Sequence, residues 1–587
     1  MQHPFKLPIQ HLDETKIQKI PHHVSTDLEL TASQSQSPSI YAHVFQPTNE
    51  FGRKLIPEWE KQFTTDTQYL TDTQDVLKGH KDFIEQTKDS TSCDCDKVLT
   101  IWKTLKDDPR FLDKYAYMEW KMLKYLNESP AFLQCMSLIH LLSPITTVLV
   151  PVLSLIVPFI LLKLKGIPID FATYVSVLKD IAKNNFVGKT IMSVQNMTSA
   201  NFIYVLMTIA FYCIQMYNNV SSFFKYYRNV VQVNDHICSM KEYIQGTIKN
   251  MDTFYSLHRE KSSYTPFCRE MREHTDVLRR LYKELDCVDP FSMSISKCFS
   301  IGYMMKCYYD LHTNAEYEQS ILYSMGFEGF IDNLNGLYKH YIKGDLNAAT
   351  YDSESDTKIT EQFYPLYSTS PSCVKNDCHL DKNMIITGVN ASGKTTMLKT
   401  TTLNVMFSQQ FGMGFYKHMN MKKPYTHIHS YLNIPDTSGR DSLFQAEARR
   451  CKDIIDIIHT SGEDAHHFCI FDELYSGTNP VEATKSAYAF LVYLSKFSHV
   501  DFMLTTHYTS ICKKCKSTGR IRNYKMDVKR GDDDEFVYTY SMKVGICYLE
   551  GGIEILKSMM YPPEMIEYIE SFDKKEEPLC KKEQKIE

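Results

Sequence analysis

Apolar positions fall into three textures along this chain. From Pro109 to Ser129, "PRFLDKYAYMEWKMLKYLNES", they recur at spacings of three and four, which places them on one face of a helix. "FCREMREHTDVLRRLYKEL" (Phe267 to Leu285) repeats the pattern and predicts a long amphipathic helix. The second texture is continuous. Ala131 to Leu162, "AFLQCMSLIHLLSPITTVLVPVLSLIVPFILL", runs for 32 residues without Asp, Glu, Lys or Arg, and a second uncharged run, Thr190 to Phe224, centres on "FIYVLMTIAFYCIQMY". The third begins near residue 360, where short apolar runs such as "NMIITG", "FCIFDE" and "DFMLTTH" alternate with helical segments, the pattern of an α/β domain with a largely parallel sheet.

These textures divide the chain into 1–130, helical with polar loops such as "TASQSQSPS"; 131–224, an apolar insertion; 225–360, long amphipathic helices; 361–570, the α/β domain; and 571–587, a charged tail expected to be disordered. No internal repeat is evident. The fold class expected is multidomain: an α-helical region followed by an α/β ATPase domain, with a transmembrane or re-entrant helical hairpin between.

A bilayer core needs about 20 apolar residues in a helix. The first run exceeds that and the second nearly reaches it, so membrane association through a hairpin is expected. Pro144, Pro151 and Pro158 each remove a helix hydrogen bond, which makes a kinked or re-entrant element as acceptable as two full crossings. The connector carries Lys163, Lys165, Lys179, Lys183 and Lys189 against Asp170 and Asp180, and a basic loop prefers the cytosol, which argues mildly against two spans with a cytosolic ATPase. The competing expectation is a pair of buried core helices or a dimer interface. An uncharged run of this length has no polar face to offer water, which favours the membrane.

Composition narrows the partners. Lys+Arg 65 against Asp+Glu 70 gives a formal charge of -5, so any nucleic-acid contact must be local. Arg269, Arg272, Arg279, Arg280 and Lys283 decorate one predicted helix, where a solvated face explains them at least as well as phosphate contacts. The 17 cysteines follow no regular framework and "MQHPFKLPIQHLDETK" has no apolar leader, so reduced thiols of an intracellular protein are expected. Cys93 with Cys95, and Cys512 with Cys515, are each half of a zinc site without an evident second half; free thiols are expected.

The chemistry is concentrated in the α/β domain. "NMIITGVNASGKTTML" contains G-x-x-x-x-G-K-T from Gly388 to Thr395, after an apolar strand and before a helical run. Gly388 and Gly393 let the backbone curl so that its N–H groups face phosphate, and the following helix adds its positive dipole end. Lys394 is expected on the β- and γ-phosphates and Thr395 on Mg²⁺. Further on, "HFCIFDELYSGTNP" ends a strand in Asp472, placed as a Mg²⁺ ligand, and Glu473, placed as the base that polarises attacking water. "DFMLTTHYTS" ends a third strand at Thr506 and His507, and a histidine there can bond the γ-phosphate or its water.

Together these segments resemble the MutS family of DNA mismatch repair ATPases. "TGVNASGKTT" is similar to its phosphate loop, with Ala391 and Ser392 replacing Met-Gly; "DELYSGTNPVEA" and "TTHYTS" resemble its next two motifs; and "SGRDSLFQAEARRCKDII" is similar to its signature Ser-x-Phe-x-x-Glu, carried by Ser442, Phe444 and Glu447. "RDS" replaces the more usual "GRS", which can offset Arg440 by one position. "CVKNDCHL" resembles the adenine-packing loop, with Val374 and Asn376 at the matching places, and "HHVSTDLELT" is similar to the segment that opens the helical core.

The resemblance covers about residues 370 to 570 and implies a short form without the mismatch-reading and connector domains. It implies ATP and Mg²⁺ as cofactors, with Val374, Asn376, Gly388, Asn390, Gly393, Lys394, Thr395, Thr396 and Ser442 on nucleotide, Thr395 and Asp472 on the metal, and Glu473 and His507 in catalysis. It also implies a homodimer in which Ser442 of one subunit reaches nucleotide held by the other, with lever helices that grip mismatched or branched DNA, and downstream repair proteins as partners. The expected location is intracellular and membrane-associated, with the ATPase in the cytosol or nucleoplasm. The rival expectation is a membrane-anchored, ATP-driven switch acting on a protein or lipid partner. An ABC-type transporter fits poorly, since two apolar stretches are too few for a transport path.

Overall fold

The computed structural model describes residues 4–33, 37–88, 94–166, 170–182, 199–292, 295–368, 370–371, 373–432, 434, 442–531, 536–549 and 551–572. Two compact units emerge: Met1–Asp89, Met251–Arg272 and Tyr323–Glu587 make the first, and Ser90–Asn250 with Glu273–Leu322 the second. The charged tail from 573 onward, Arg440 and Cys93 lie outside the described residues.

In the first unit, strands β1 (Ile17–Lys19) and β2 (Gln62–Thr64) pair antiparallel. Strands β3 (Asn347–Tyr351), β4 (Lys358–Gln362), β5 (Asn376–His379), β7 (Met413–Gly414) and β8 (His418–Met421) form a mixed sheet in the order β5-β4-β8-β3-β7. The larger sheet contains β6 (Asn383–Thr387), β9 (His427–Tyr431), β10 (His467–Asp472), β11 (Val500–Thr506), β12 (Ile521–Arg530) and β13 (Phe536–Val544), in the order β13-β12-β6-β11-β10-β9. All its neighbours are parallel except β12 and β13.

That architecture explains the short apolar runs. A parallel strand covered on both faces needs apolar side chains at every position. Met384 to Ile386, Phe468 to Phe471 and Phe502 to Leu504 are all fully buried. The register sets Asp472 opposite Thr505 and Thr387 opposite Thr506, so the ends of three adjacent strands carry the motif residues to one edge. In such a sheet that edge is where ligands bind.

The helix Lys394–Gln410 following the phosphate loop is buried nearly all round although it is rich in Thr, Asn and Gln. Its polar groups are satisfied inside. The hydroxyls of Thr400, Thr401, Thr402 and Ser408 donate to carbonyls four residues back. Gln409 Nε2 donates to the carbonyls of Thr64 and Tyr425, and Gln410 Nε2 to those of Trp59 and Gln62. Buried amides are tolerated only with such partners, so the N-terminal segment is built into the surroundings of the phosphate loop. Lys399 with Glu29 (2.8 Å) adds an ion pair to the same junction.

The second unit contains the apolar run. Pro130–Leu164 is one helix of 35 residues, capped by Ser129, and it continues through Pro144, Pro151 and Pro158, where a kinked or re-entrant element was expected. Two of the carbonyls that these prolines orphan are bonded otherwise. Ser143 Oγ donates to the His140 carbonyl (3.0 Å) and Tyr212 OH to the Thr147 carbonyl (3.4 Å), each four residues before a proline. Tyr212 belongs to the second run, whose described part, from Ser199 onward, lies in the 60-residue helix Ser199–His258. Tyr226 OH bonds Ser137 Oγ (2.7 Å) and Asn219 Nδ2 bonds Thr147 Oγ1 (2.5 Å), so the two helices pair antiparallel as a hairpin.

Among the described residues no helix is long and apolar enough to cross a membrane, so the expected transmembrane element finds no support there. The first half of the hairpin's leading helix is interrupted by Gln134, Ser137, His140, Ser143, Thr146 and Thr147. Several of these serve packing and hydrogen bonds within the unit. The side chains at 148, 150–152, 154, 155 and 158, and the connector at 167–169 and 183–198 with Lys183 and Lys189, lie outside the described residues. The described apolar side chains are largely exposed: Ile139 58%, Leu153 42%, Ile160 48%, Leu206 56% and Phe211 64%.

The basic helix predicted at Phe267 to Leu285 is present as Thr265–Asp286. Arg279 pairs with Asp276 (2.6 Å), Arg280 with Glu316, and Arg272 stacks over the Tyr255 ring. These contacts match a solvated face.

Candidate nucleotide site

The phosphate loop curls between β6 and its helix through two left-handed residues, Ala391 (φ 60°) and Gly393 (φ 92°). Gly388 is required by crowding, because a Cβ there would stand 2.7 Å from Ser392 Oγ. Ser392, which replaces a glycine of the resembled motif, is accommodated at ordinary φ and donates its hydroxyl to the Val389 carbonyl (2.8 Å). The strain falls on Ala391 instead, where a side chain in the left-handed region costs about 1 kcal/mol.

Lys394 is 6% exposed. Its Nζ donates to the Gly388 and Val389 carbonyls (3.1 Å each) and lies 3.2 Å from His507 Nε2. Burial pushes the ammonium below its ordinary pKa, while Glu473 and Asp472 act in the opposite direction. Thr395 Oγ1 donates to Asp472 Oδ2 (2.7 Å), and Thr505 donates to the other carboxylate oxygen. Hydroxyl and carboxylate thus stand side by side as hard oxygen donors, a pair that suits Mg²⁺ completed by phosphate oxygens and water. Among the described residues no three His, Cys, Asp or Glu side chains could hold a metal ion by themselves.

Glu473 Oε1 and His507 Nε2 are 2.9 Å apart. The bond from His507 holds the Glu473 carboxyl below its ordinary pKa, with the charge of Lys394 acting in the same direction. One imidazole nitrogen therefore faces both a carboxylate and an ammonium. Carrying its proton, Nε2 donates to Glu473; without it, Nε2 accepts from Lys394. It cannot do both.

A cavity of about 640 Å³ opens over the loop. It is lined by Val374, Asn376, Asn390, Gly393, Lys394, Thr395, Thr396 and Glu473 among the expected residues. Asn376 has a structural task as well: its amide donates to the Tyr540 carbonyl (3.0 Å) and accepts from Met542 N–H (2.7 Å), fastening β13 to β5. Asp472 and His507 do not line the cavity. Ser442 does not line it either. Exposed at the start of the helix Leu443–Thr460, its hydroxyl caps Gln445 N–H (3.3 Å) and its own N–H is capped by Gln445 Oε1 (2.9 Å).

The cavity also has a wall that the motifs do not announce: Phe363, Tyr364, Tyr367, Met526 and Tyr540. Aromatic and thioether side chains offer a planar base the flat, polarisable surface it packs on. "QFYPLY" was the available signal for three of them; Met526 and Tyr540 arrive from strands more than 130 residues away in sequence from the loop.

Cys512 and Cys515 are buried in the short helix Thr509–Cys515, and burial pushes their thiols up to about 12 and about 11, which disfavours the thiolate a zinc ligand must be. Cys95 starts the helix Cys95–Asp107.

Comparison with known proteins follows this geometry. The family model for MutS domain V, an ATPase domain, matches residues 384–576. Similar curated proteins include Endonuclease MutS2 of Streptococcus pyogenes serotype M5 (strain Manfredo), 27% identical over 243 residues, 40% of this chain and 30% of that protein. Endonuclease MutS2 of Streptococcus agalactiae serotype Ia and of Lactococcus lactis subsp. cremoris are each 26% identical over the same length and shares. The chain therefore matches these relatives over about a third of their length.

Proposed function

We propose that this chain is a MutS-like ATP-dependent DNA-binding protein, a reading supported by the match of residues 384–576 to the family model for MutS domain V. In this reading ATP hydrolysis switches a homodimer between grip and release of mismatched or branched DNA, in the service of repair or recombination partners. The observation that carries it is the convergence of Lys394, Thr395, Asp472, Glu473 and His507 at one sheet edge, under a cavity of nucleotide size.

The chain's own residues give the steps. Backbone N–H groups of the loop and the dipole of the helix Lys394–Gln410 receive the phosphates. Lys394 leaves the Gly388 and Val389 carbonyls for the β- and γ-phosphates, which frees His507 Nε2 to hold its proton toward Glu473 or phosphate. Glu473, ionised by its low pKa, accepts a proton from the attacking water. Mg²⁺, held by Thr395 and Asp472, would neutralise charge on the phosphates. Ser442, exposed and outside its own chain's cavity, is free to reach nucleotide on a second copy.

A second reading has its own observation. The exposed apolar hairpin sits in sequence where the resemblance puts a DNA clamp, and it supports a membrane-associated, ATP-driven switch acting on a protein or lipid partner, with the ATPase in the cytosol or nucleoplasm. Gel-shift titrations on homoduplex, mismatched and branched DNA, repeated across salt concentrations, separate the two. Affinity above a control protein with a salt slope is expected from the first reading. No such affinity, with flotation of the protein on lipid vesicles, selects the second.

A further inference from the structure

The strand end that carries the metal ligand and base does not relax into an ordinary turn. Glu473 (φ 49°) and Tyr475 (φ 61°) both occupy the left-handed region without being glycine. Such a conformation persists only where the surroundings over-determine it. Here the surroundings are specific. Glu473 N–H donates to the Thr505 carbonyl (3.0 Å) and Tyr475 N–H to Tyr431 OH (3.1 Å). The next two residues are held by one side chain: Ser476 N–H and Oγ donate to Glu447 Oε1 (3.1 and 2.9 Å), and Gly477 N–H donates to Glu447 Oε2 (3.1 Å).

Glu447 is 2% exposed, and its carboxylate accepts three hydrogen bonds from this loop. A buried carboxylate supplied this way is rigid, because losing any donor strands a charge-assisted bond away from water. It also belongs to the helix Leu443–Thr460, five residues after the capping Ser442. Helix and loop meet a second time at Gly477, where a Cβ would stand 2.8 Å from Leu443 Cγ and 2.8 Å from Phe444 N. Phe444 and Tyr475 pack with ring centroids 5.7 Å apart.

We infer that Glu447 is a positioning residue for the hydrolytic base, a strut that ties the helix headed by Ser442 to the strained loop and so sets Glu473 where it can polarise water. This rests on the ATPase reading proposed above and extends it. Movement of the helix start, as when Ser442 engages nucleotide on a second copy, would reach Glu473 through two hydrogen-bonded residues and the close contact at Gly477. Glu447 itself does not line the cavity over the phosphate loop.

The test is steady-state ATP turnover and nucleotide affinity for the full chain and for Glu447→Gln, Ser476→Ala and Glu473→Gln. Glu447→Gln presents an amide donor to a backbone donor, so the loop should shift; kcat is expected to fall about 10- to 100-fold, the scale of displacing a reacting group by about 1 Å. KM and the affinity for a fluorescent ATP analogue should change by less than about 3-fold. Ser476→Ala removes one of three bonds, spares the fold, and should lower kcat more modestly with KM unmoved. Glu447→Gln added to Glu473→Gln should cost nothing further in single-turnover rate, because strut and base act as one unit. Wild-type kcat in both Glu447→Gln and Ser476→Ala, an equal loss of affinity and kcat, or additive losses in the double variant would overturn the inference alone. Absence of turnover in the wild type would overturn the ATPase reading, and the strut with it.

Discussion

The two uncharged textures of this chain meet opposite fates. In the larger sheet Ile385, Phe471 and Leu504 are fully buried, whereas Ile139, Ile160 and Phe211 of the hairpin are between 48% and 64% exposed. Hydropathy alone ranks the hairpin as the more apolar region. The difference lies in what covers each: the strands have helices packed against their faces from the same unit, and the outer faces of the hairpin have no such cover among the described residues. Polar groups show the reverse. The helix Lys394–Gln410 buries Thr, Asn and Gln by bonding each within the fold, and at Pro144 and Pro151 of the hairpin helix hydroxyls take the carbonyls that the prolines orphan.

If the sheet edge is the chemical centre and the hairpin is independent of it, the strongest perturbations should respect that division. Lys394→Ala is expected to reduce ATP affinity by at least about 100-fold, the scale of losing a charge-assisted contact, measured by isothermal titration. Glu473→Gln should retain binding and slow hydrolysis by about 10²- to 10⁴-fold, the usual worth of a general base. Equal turnover in that variant and the wild type would remove Glu473 from its assigned role.

The hairpin supplies the converse test. Asp in place of Ile156, Ile160 and Ile214 together should abolish flotation on lipid vesicles and leave ATP turnover per site unchanged. A parallel loss of turnover would show that the two regions are energetically one.

Acid should also discriminate. Burial holds His467 down to about 3 and His11, His23 and His258 down to about 4, all in the unit that carries the sheet. Folded pKa values below the ordinary 6.5 mean that the unfolded chain binds protons the fold refuses, so stability is complete above pH 6.5 and lost as pH falls toward 4 and then 3. Thermal melts across that window should show a falling midpoint, with hydrogen exchange rising first in the strands around His467. A flat profile would contradict the buried neutral state. The smallest expected effect is at Ala391→Gly, which should relieve the left-handed strain and stabilise the ATPase unit by about 1 kcal/mol, seen as a modest rise in melting temperature.

Much of the site was legible because its determinants are local. Gly388, Gly393, Lys394 and Thr395 lie within eight residues, and Asp472, Glu473 and His507 each end an apolar strand, so strand order and spacing placed them before any packing was known. The aromatic wall of the cavity was not legible, since Tyr540 reaches it from an antiparallel edge strand. Nor was the strut, because Glu447 was visible only as part of a signature and its three donors lie 29 and 30 residues on. The expected breaks at Pro144, Pro151 and Pro158 follow correctly from the missing N–H groups, yet Tyr212, some 60 residues beyond Pro151, supplies a donor that no local pattern contains.

The sequence by itself determined a sheet edge that gathers a phosphate loop and carboxylate-ended strands, since these need only local geometry and parallel order. It also determined that both long uncharged runs carry helix. Tertiary structure alone decided that Lys394 and Glu473 share one imidazole nitrogen, that the N-terminal segment satisfies the amides of the phosphate-loop helix, and that buried Glu447 accepts from the loop that follows Glu473. The reason is the same in each case. Satisfying a buried polar group is a matter of distance in space, and the partners here are separated in sequence by 30 to more than 300 residues.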